Sequence, residues 1–203
     1  MDTWDINGYT LEYLDDTHTY LVDGEIVPSI TQILKIKFGN KYSGINQDVL
    51  NNAANEGTRV HKAIENYEKL KAEDITCQEL KDYKFLKKTY KFECLDNEVP
   101  IILFKDNKPI AAGRLDLVLE VDKELYLGDI KRTSVLDKEY LAYQLNLYKI
   151  GFEQCYKKEI KGLKGLHLRA GVRKYVDIPV NKEIAWNLVE EYLKSEELWK
   201  RKQ

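Results

Sequence analysis

The chain has 203 residues, a third of them charged, a net charge of −2, and 14 Tyr, 5 Phe and 3 Trp. That length can bury a substantial core and the aromatic content is not that of a disordered chain; the balanced charge excludes a generally basic nucleic-acid coat, so any phosphate binding must be local. Cys77, Cys94 and Cys155 are widely spaced and odd in number, which fits reduced intracellular thiols and neither a disulfide frame nor a metal cluster. With no basic leader, no opening apolar run and no stretch of membrane-spanning length, a cytoplasmic protein without a membrane partner is expected.

Residues 7–28 alternate through Tyr9, Leu11, Tyr13, Tyr20, Val22, Ile26 and Val27, with turns at 15–17 and at Asp23-Gly24, and predict a small β-meander. His18 beside one turn is assigned only structural hydrogen bonding. Ser29 is positioned to cap a helix carrying Ile30, Ile33 and Leu34, and residues 38–47 form a loop, a connector or a lid over a substrate. From about Asp48 to Lys71 the pattern is helical, with Val49, Ala53, Val60, Ile64, Tyr67 and Leu70 offered to the core. Gly57 inside it implies a close approach or a break. His61 has no second histidine nearby, which excludes a metalloprotease helix and leaves a partly buried histidine as its plain reading.

A further helix spans about Thr76 to Lys91, with Leu80, Tyr83, Phe85 and Leu86 as core and a stripe of Lys81, Lys84, Lys87, Lys88 and Lys91 that is either a solvated face or a phosphate track. A strand starts at Glu98, turns at 106–109 and enters a hairpin formed by Pro109–Val121 and Glu124–Thr133 around Asp122-Lys123. With those two residues as the loop, opposed residue numbers sum to 245, placing Asp116 opposite Asp129 and Arg114 opposite Lys131. Alternation puts Ala111, Gly113, Leu115, Leu117, Leu119 and Val121 on one face, and Arg114, Asp116, Val118 and Glu120 on the other. Opposed carboxylates are destabilising unless something offsets them. With Lys131 pointing the same way, they fit a divalent-metal site as well as they fit a solvated hairpin with a chance charge pair.

After Thr133, Ser134 to Asp137 can cap a helix running to about Lys158, with Tyr140, Gln144 and Tyr148 on one ridge and Leu141, Leu145 and Phe152 beside it. Gln144 needs a partner, either one core hydrogen bond or the carboxylate-lysine cleft. A second hairpin around Gly171 joins Leu166–Arg169 to Tyr175–Ile178, and Asn181 caps a terminal helix bearing Ile184, Trp186, Leu188, Val189, Tyr192, Leu193, Leu198 and Trp199. The domain organisation expected is a single unit over 1–203, with a meander at 1–28, a core at about 48–160 and a hairpin and helix at 161–203.

Gly113-Arg-Leu-Asp116, Gly128-Asp129-Ile-Lys131 and Gln144-x-x-x-Tyr148, preceded by Gly57-x-x-x-His61-x-x-x-Glu65, together resemble the RecB-like branch of the PD-(D/E)XK nuclease superfamily over about residues 55–150. His18-x-Tyr20, Asp23-Gly24 and Val27-Pro-Ser-Ile-Thr31 are similar to phage and prophage members. The resemblance implies an α/β, restriction-endonuclease-like core, a central mixed β-sheet flanked by α-helices. It implies Mg²⁺ or Mn²⁺ held by His61, Asp116, Asp129 and the Ile130 carbonyl, with Lys131 orienting or activating water and Gln144 and Tyr148 supporting the lysine or meeting the DNA backbone. Asp129 stands where many relatives have Glu. Three cysteines cannot supply the four that hold an iron-sulfur cluster in some relatives. The function implied is a metal-dependent DNA exonuclease of phage or prophage recombination or repair, in a bacterial or phage-infected cytoplasm. Its partners would be linear duplex ends, a recombination or single-strand-annealing protein and further copies of itself. Lys84, Lys88, Arg114 and Arg132 are candidate DNA contacts. A structure-specific or restriction-type endonuclease, and a nuclease-fold module that binds without cutting, remain the alternatives.

Overall fold

The computed structural model describes residues 1–39, 44–169 and 171–200, with side chains described to residue 196. The turn residues Asp122 and Lys123 both take positive φ, 52° and 68°, the conformation that matches a two-residue loop to the twist of its strands, here achieved without glycine. The hairpin it closes joins β6 (Lys108–Val121) to β7 (Glu124–Lys131), and its register is the expected one, from Val121↔Glu124 to Leu117↔Gly128. The ladder stops there, so neither Asp116 and Asp129 nor Arg114 and Lys131 form a cross-strand pair within it, although Asp116 and Asp129 are the next positions on the two strands.

β5 (Glu93–Lys105) extends the hairpin antiparallel to β6 and begins five residues before the expected Glu98. β8 (Gly162–Arg169) lies parallel to β7, and β9 (Val172–Ile178) pairs antiparallel to β8, giving a five-stranded mixed sheet in the order β5-β6-β7-β8-β9. This second hairpin is longer than its most apolar residues suggested. The parallel step requires a crossover, supplied by α4 (Lys138–Tyr156), whose N-cap Asp137 accepts a hydrogen bond from the Tyr140 amide at 2.9 Å. A separate antiparallel sheet forms from β1 (Asp2–Ile6), β2 (Tyr9–Leu14), β3 (Thr19–Val22) and β4 (Glu25–Val27). Its first strand lies within the expected 1–28 unit but ahead of the alternation that starts at residue 7, and Ile26 is exposed. Ser29 caps α1 (Ile30–Phe38) with a full capping box, and the Ala112 amide donates to the Pro28 carbonyl, tying this sheet's exit to β6.

Two apolar clusters cover the large sheet. One joins α1, α4 and α5 (Lys182–Lys200) to Val118 and Leu127; the other joins α2 (Gln47–Leu70) and α3 (Gln78–Tyr90) to Leu117, Leu119 and Ile130. The single apolar face expected for β6 is therefore divided: Ala111 and Leu115 enter the first cluster, Leu117 and Leu119 the second. Val118, on the strand face of Asp116, is itself buried, so the acids do not project from an open polar face.

Along α2 only the C-terminal half is packed. Val60 and Ile64 are buried, whereas Val49, Ala53 and Leu70 are exposed. In α3, Phe85 is exposed beneath the Arg173 guanidinium, 3.6 Å from the ring centroid, and is not a core residue. Part of the 38–47 loop, residues 40–43, lies outside the described residues, as do the side chains of Leu198 and Trp199.

Gly57 neither breaks α2 nor admits a neighbour, because a Cβ built there meets nothing within 4 Å. Gly57→Ala is accordingly expected to stabilise the protein by about 1 kcal/mol through helix propensity, read as a raised urea midpoint at unchanged slope.

Candidate metal centre

Beyond the last ladder pair of the hairpin, the amide of Ile130 donates to Asp116 Oδ2 at 2.7 Å instead of to a backbone carbonyl. The Asp116 side chain thus takes over the strand junction where β6 and β7 part. Its other oxygen, Oδ1, lies 3.6 Å from His61 Nδ1, while His61 Nε2 faces the Ile130 carbonyl at 3.3 Å. A neutral imidazole with its proton on Nε2 would leave the Nδ1 lone pair directed at the carboxylates. His61 comes from α2, 69 residues from Ile130, so the helix histidine and the hairpin acids meet only in the folded chain.

Asp129 is 1 % exposed, and Lys131 Nζ stands 2.6 Å from its Oδ2. Oδ2 is thus paired with the lysine, while Oδ1 has no hydrogen-bond partner among the described residues. A buried carboxylate oxygen without a donor is costly, so Oδ1 is where a further cation or donor would be accommodated.

The structure adds an acid that sequence reading missed. Glu98 Oε1 lies 3.5 Å from His61 Nδ1, and ligand atoms of His61, Glu98 and Asp116 all fall within 4.8 Å of one another. The β5–β6 pairs on either side, Asn97↔Leu117 and Val99↔Leu115, place Glu98 beside Asp116 in register. Counting from the Lys105↔Lys108 pair without interruption would have put Asn97 there; the shift between Leu103 and Phe104 moves Glu98 into place.

Electrostatics follow from this crowding. Burial opposes the His61 charge, but Asp116, Glu98 and Asp129 outweigh it and hold the imidazole pKa up at about 9. Burial, with Asp129 and Glu98 adding to it, lifts the Asp116 carboxyl well above the usual carboxylate range against the pull of His61 and Lys131. For Lys131, burial works against the charge, and Asp129 and Asp116 more than restore it.

Tyr148 is buried on α4, packed so closely on β6 that a Cβ at Gly113 would come within 2.9 Å of its ring. Burial, then Tyr20 and the charges of Asp116 and Asp129, raise its phenol pKa, while Gln144 at its hydroxyl acts the other way. Gln144 is also buried, with Oε1 unpartnered among the described residues. The α4 ridge therefore stands beside the acids. A cavity of about 270 Å³ adjoins it, lined by Tyr13, Tyr20, Ser29, Gly113 and Tyr148 among others.

The basic candidates are placed differently. Arg114 Nε reaches Glu98 Oε2 at 2.8 Å, Arg132 Nε reaches buried Glu79 at 2.8 Å, and Lys84 pairs with Glu73. Lys88 is exposed on α3, one turn from Lys84.

No family model and no curated protein matches the chain. Among solved structures it is similar to one titled crystal structure of SSO0001, at 13 % identity and a TM-score of 0.48, covering 83 % of this chain and 75 % of that one.

Removing one member of the Lys131–Asp129 contact strands the other. In metal-free buffer, Lys131→Met is expected to cost about 1–3 kcal/mol, discounted because the lysine is 22 % exposed, and adding Asp129→Leu should recover most of the loss. A double-mutant cycle of urea midpoints reads the coupling directly.

Proposed function

We propose that this chain is a metal-dependent DNA nuclease of the RecB-like PD-(D/E)XK type, acting as an exonuclease in phage or prophage recombination. The observation that carries the proposal is the buried Asp129 carboxylate, paired with Lys131 through Oδ2 and unpartnered at Oδ1, next to the grouped donor atoms of His61, Glu98 and Asp116. The five-stranded mixed sheet flanked by helices is compatible with the restriction-endonuclease-like core that this reading requires.

The donor set fits a divalent cation. The donor atoms that lie within 4.8 Å of one another are those of His61, Glu98 and Asp116, with Asp129 outside that group; carboxylates from Asp116 and Asp129 would suit Mg²⁺ or Mn²⁺, an imidazole from His61 tilts the preference toward Mn²⁺, and the Ile130 carbonyl retains a lone pair beyond its contact with His61. When bound, such an ion would lower the pKa of water and offset charge developing on a phosphodiester.

The chain's own residues have separable tasks. Asp116 is oriented by the Ile130 amide, which leaves Oδ1 directed at His61. Lys131, kept protonated by its acidic neighbours, would hold a non-bridging phosphate oxygen and orient the attacking water, a charge-stabilising role in a site with little solvent. Tyr148 and Gln144 would limit water from the α4 side and fix the lysine's surroundings. Linear duplex ends are the proposed substrate, and a single-strand-annealing protein or further copies of the chain are proposed partners. No helix among the described residues is long and apolar enough to cross a membrane.

Asp116→Asn, Asp129→Asn and Lys131→Ala should each lower Mn²⁺-dependent degradation of linear duplex DNA by about 10²-fold or more with unchanged circular dichroism. Full activity in all three would remove the site assignment. Covalently closed circular DNA should stay intact; its cleavage would replace the exonuclease with an endonuclease.

A further inference from the structure

Every non-glycine residue with positive φ among those described lies in a turn or at a helix end, with one exception: Glu98, at φ 52°, inside β5. A left-handed residue within a strand costs conformational energy and turns its side chain out of the regular alternation. The flanking residues Asn97 and Val99 are buried, whereas Glu98 retains 18 % side-chain exposure and divides its carboxylate. Oε1 faces His61 Nδ1 at 3.5 Å, and Oε2 is ion-paired with Arg114 Nε at 2.8 Å. Arg114 in turn lies 3.3 Å from Asp2 and over the Tyr13 ring at 5.3 Å, both in the small N-terminal sheet.

We infer that Glu98 is a further protein ligand of the cation held by His61, Asp116 and Asp129, and that Arg114 competes with that cation for the same carboxylate. The inference rests on the metal-site reading above. Two independent observations support it: the Glu98, His61 and Asp116 donor atoms fall within 4.8 Å of one another, and the adjoining Asp129 carboxylate is 1 % exposed with its Oδ1 unpartnered among the described residues. A carboxylate whose only task was to anchor Arg114 would not require a strained backbone that brings its second oxygen to His61. Because one carboxylate serves two cationic neighbours, engagement by the ion weakens its hold on Arg114, and the metal centre is coupled to the seating of the N-terminal sheet.

Mn²⁺ titration by calorimetry of the full chain, with Mn²⁺ as the only probe, tests this. Glu98→Gln keeps the shape and is expected to weaken Mn²⁺ binding about 10-fold or more. Arg114→Gln, which frees Glu98, should tighten it, and an unchanged affinity would remove the competition. Thermal melts without metal establish that each variant is folded. Wild-type affinity in Glu98→Gln overturns the inference, as does an equal weakening in Arg114→Gln, which would assign Glu98 to the arginine alone. If Asp116→Asn and Asp129→Asn still lose Mn²⁺ in those cases, the metal-site reading survives. If the wild-type chain binds no Mn²⁺, both fall together.

Discussion

Three carboxylates on three neighbouring strands, Glu98 on β5, Asp116 on β6 and Asp129 on β7, stand side by side where the hairpin ladder ends, and their mutual repulsion constrains what surrounds them. Lys131 is set against Asp129, Arg114 against Glu98, the Ile130 amide against Asp116, and the His61 imidazole between Glu98 and Asp116. Even so, Asp129 Oδ1 has no hydrogen-bond partner among the described residues. Low dielectric makes that deficit expensive, and it is the physical ground of the metal-site proposal.

The packing around this row makes it rigid. Both faces of the hairpin are covered, by α4 on one side and by α2 and α3 on the other, so the acids sit at the seam between two apolar clusters and not on an open ribbon. His61 enters from α2 at the point where the helix first becomes buried, next to Val60. The half of α2 before it is largely exposed. Such a scaffold holds the donor groups through core packing, the condition under which a site keeps its geometry before a ligand arrives. The second positively charged network, in which Arg132 and Arg59 meet Glu79, ties the end of β7 to α2 and α3. Its role here is to brace the strand carrying Asp129 and Lys131, and it leaves Arg132 less available to a phosphate than its sequence position suggested.

Much of this was written locally. The two-residue turn at Asp122-Lys123 set the hairpin register, and with it the juxtaposition of Asp116 and Asp129, because side chains alternate with period two and a slip of one would have separated them. The Asp137 cap and the i+4 spacing of Gln144 and Tyr148 likewise placed that ridge on one helix. Phe85 and Gly57 were misread for a shared reason: helical spacing defines a face, but which part of that face another element covers depends on where distant segments pack.

By itself, then, the amino-acid sequence determined the short-range geometry: the hairpin, its register, the helix ridges and the Asp-Ile-Lys order that puts amine and carboxylate on the same face. Tertiary structure decided which distant groups join them. His61 meets the hairpin across 69 residues, and Glu98 replaces Asn97 beside Asp116 only because a one-residue irregularity near Ile110 shifts the β5–β6 ladder. Neither event carries a local signal, since a bulge and a helix-to-sheet contact are both selected by the packing of the whole core.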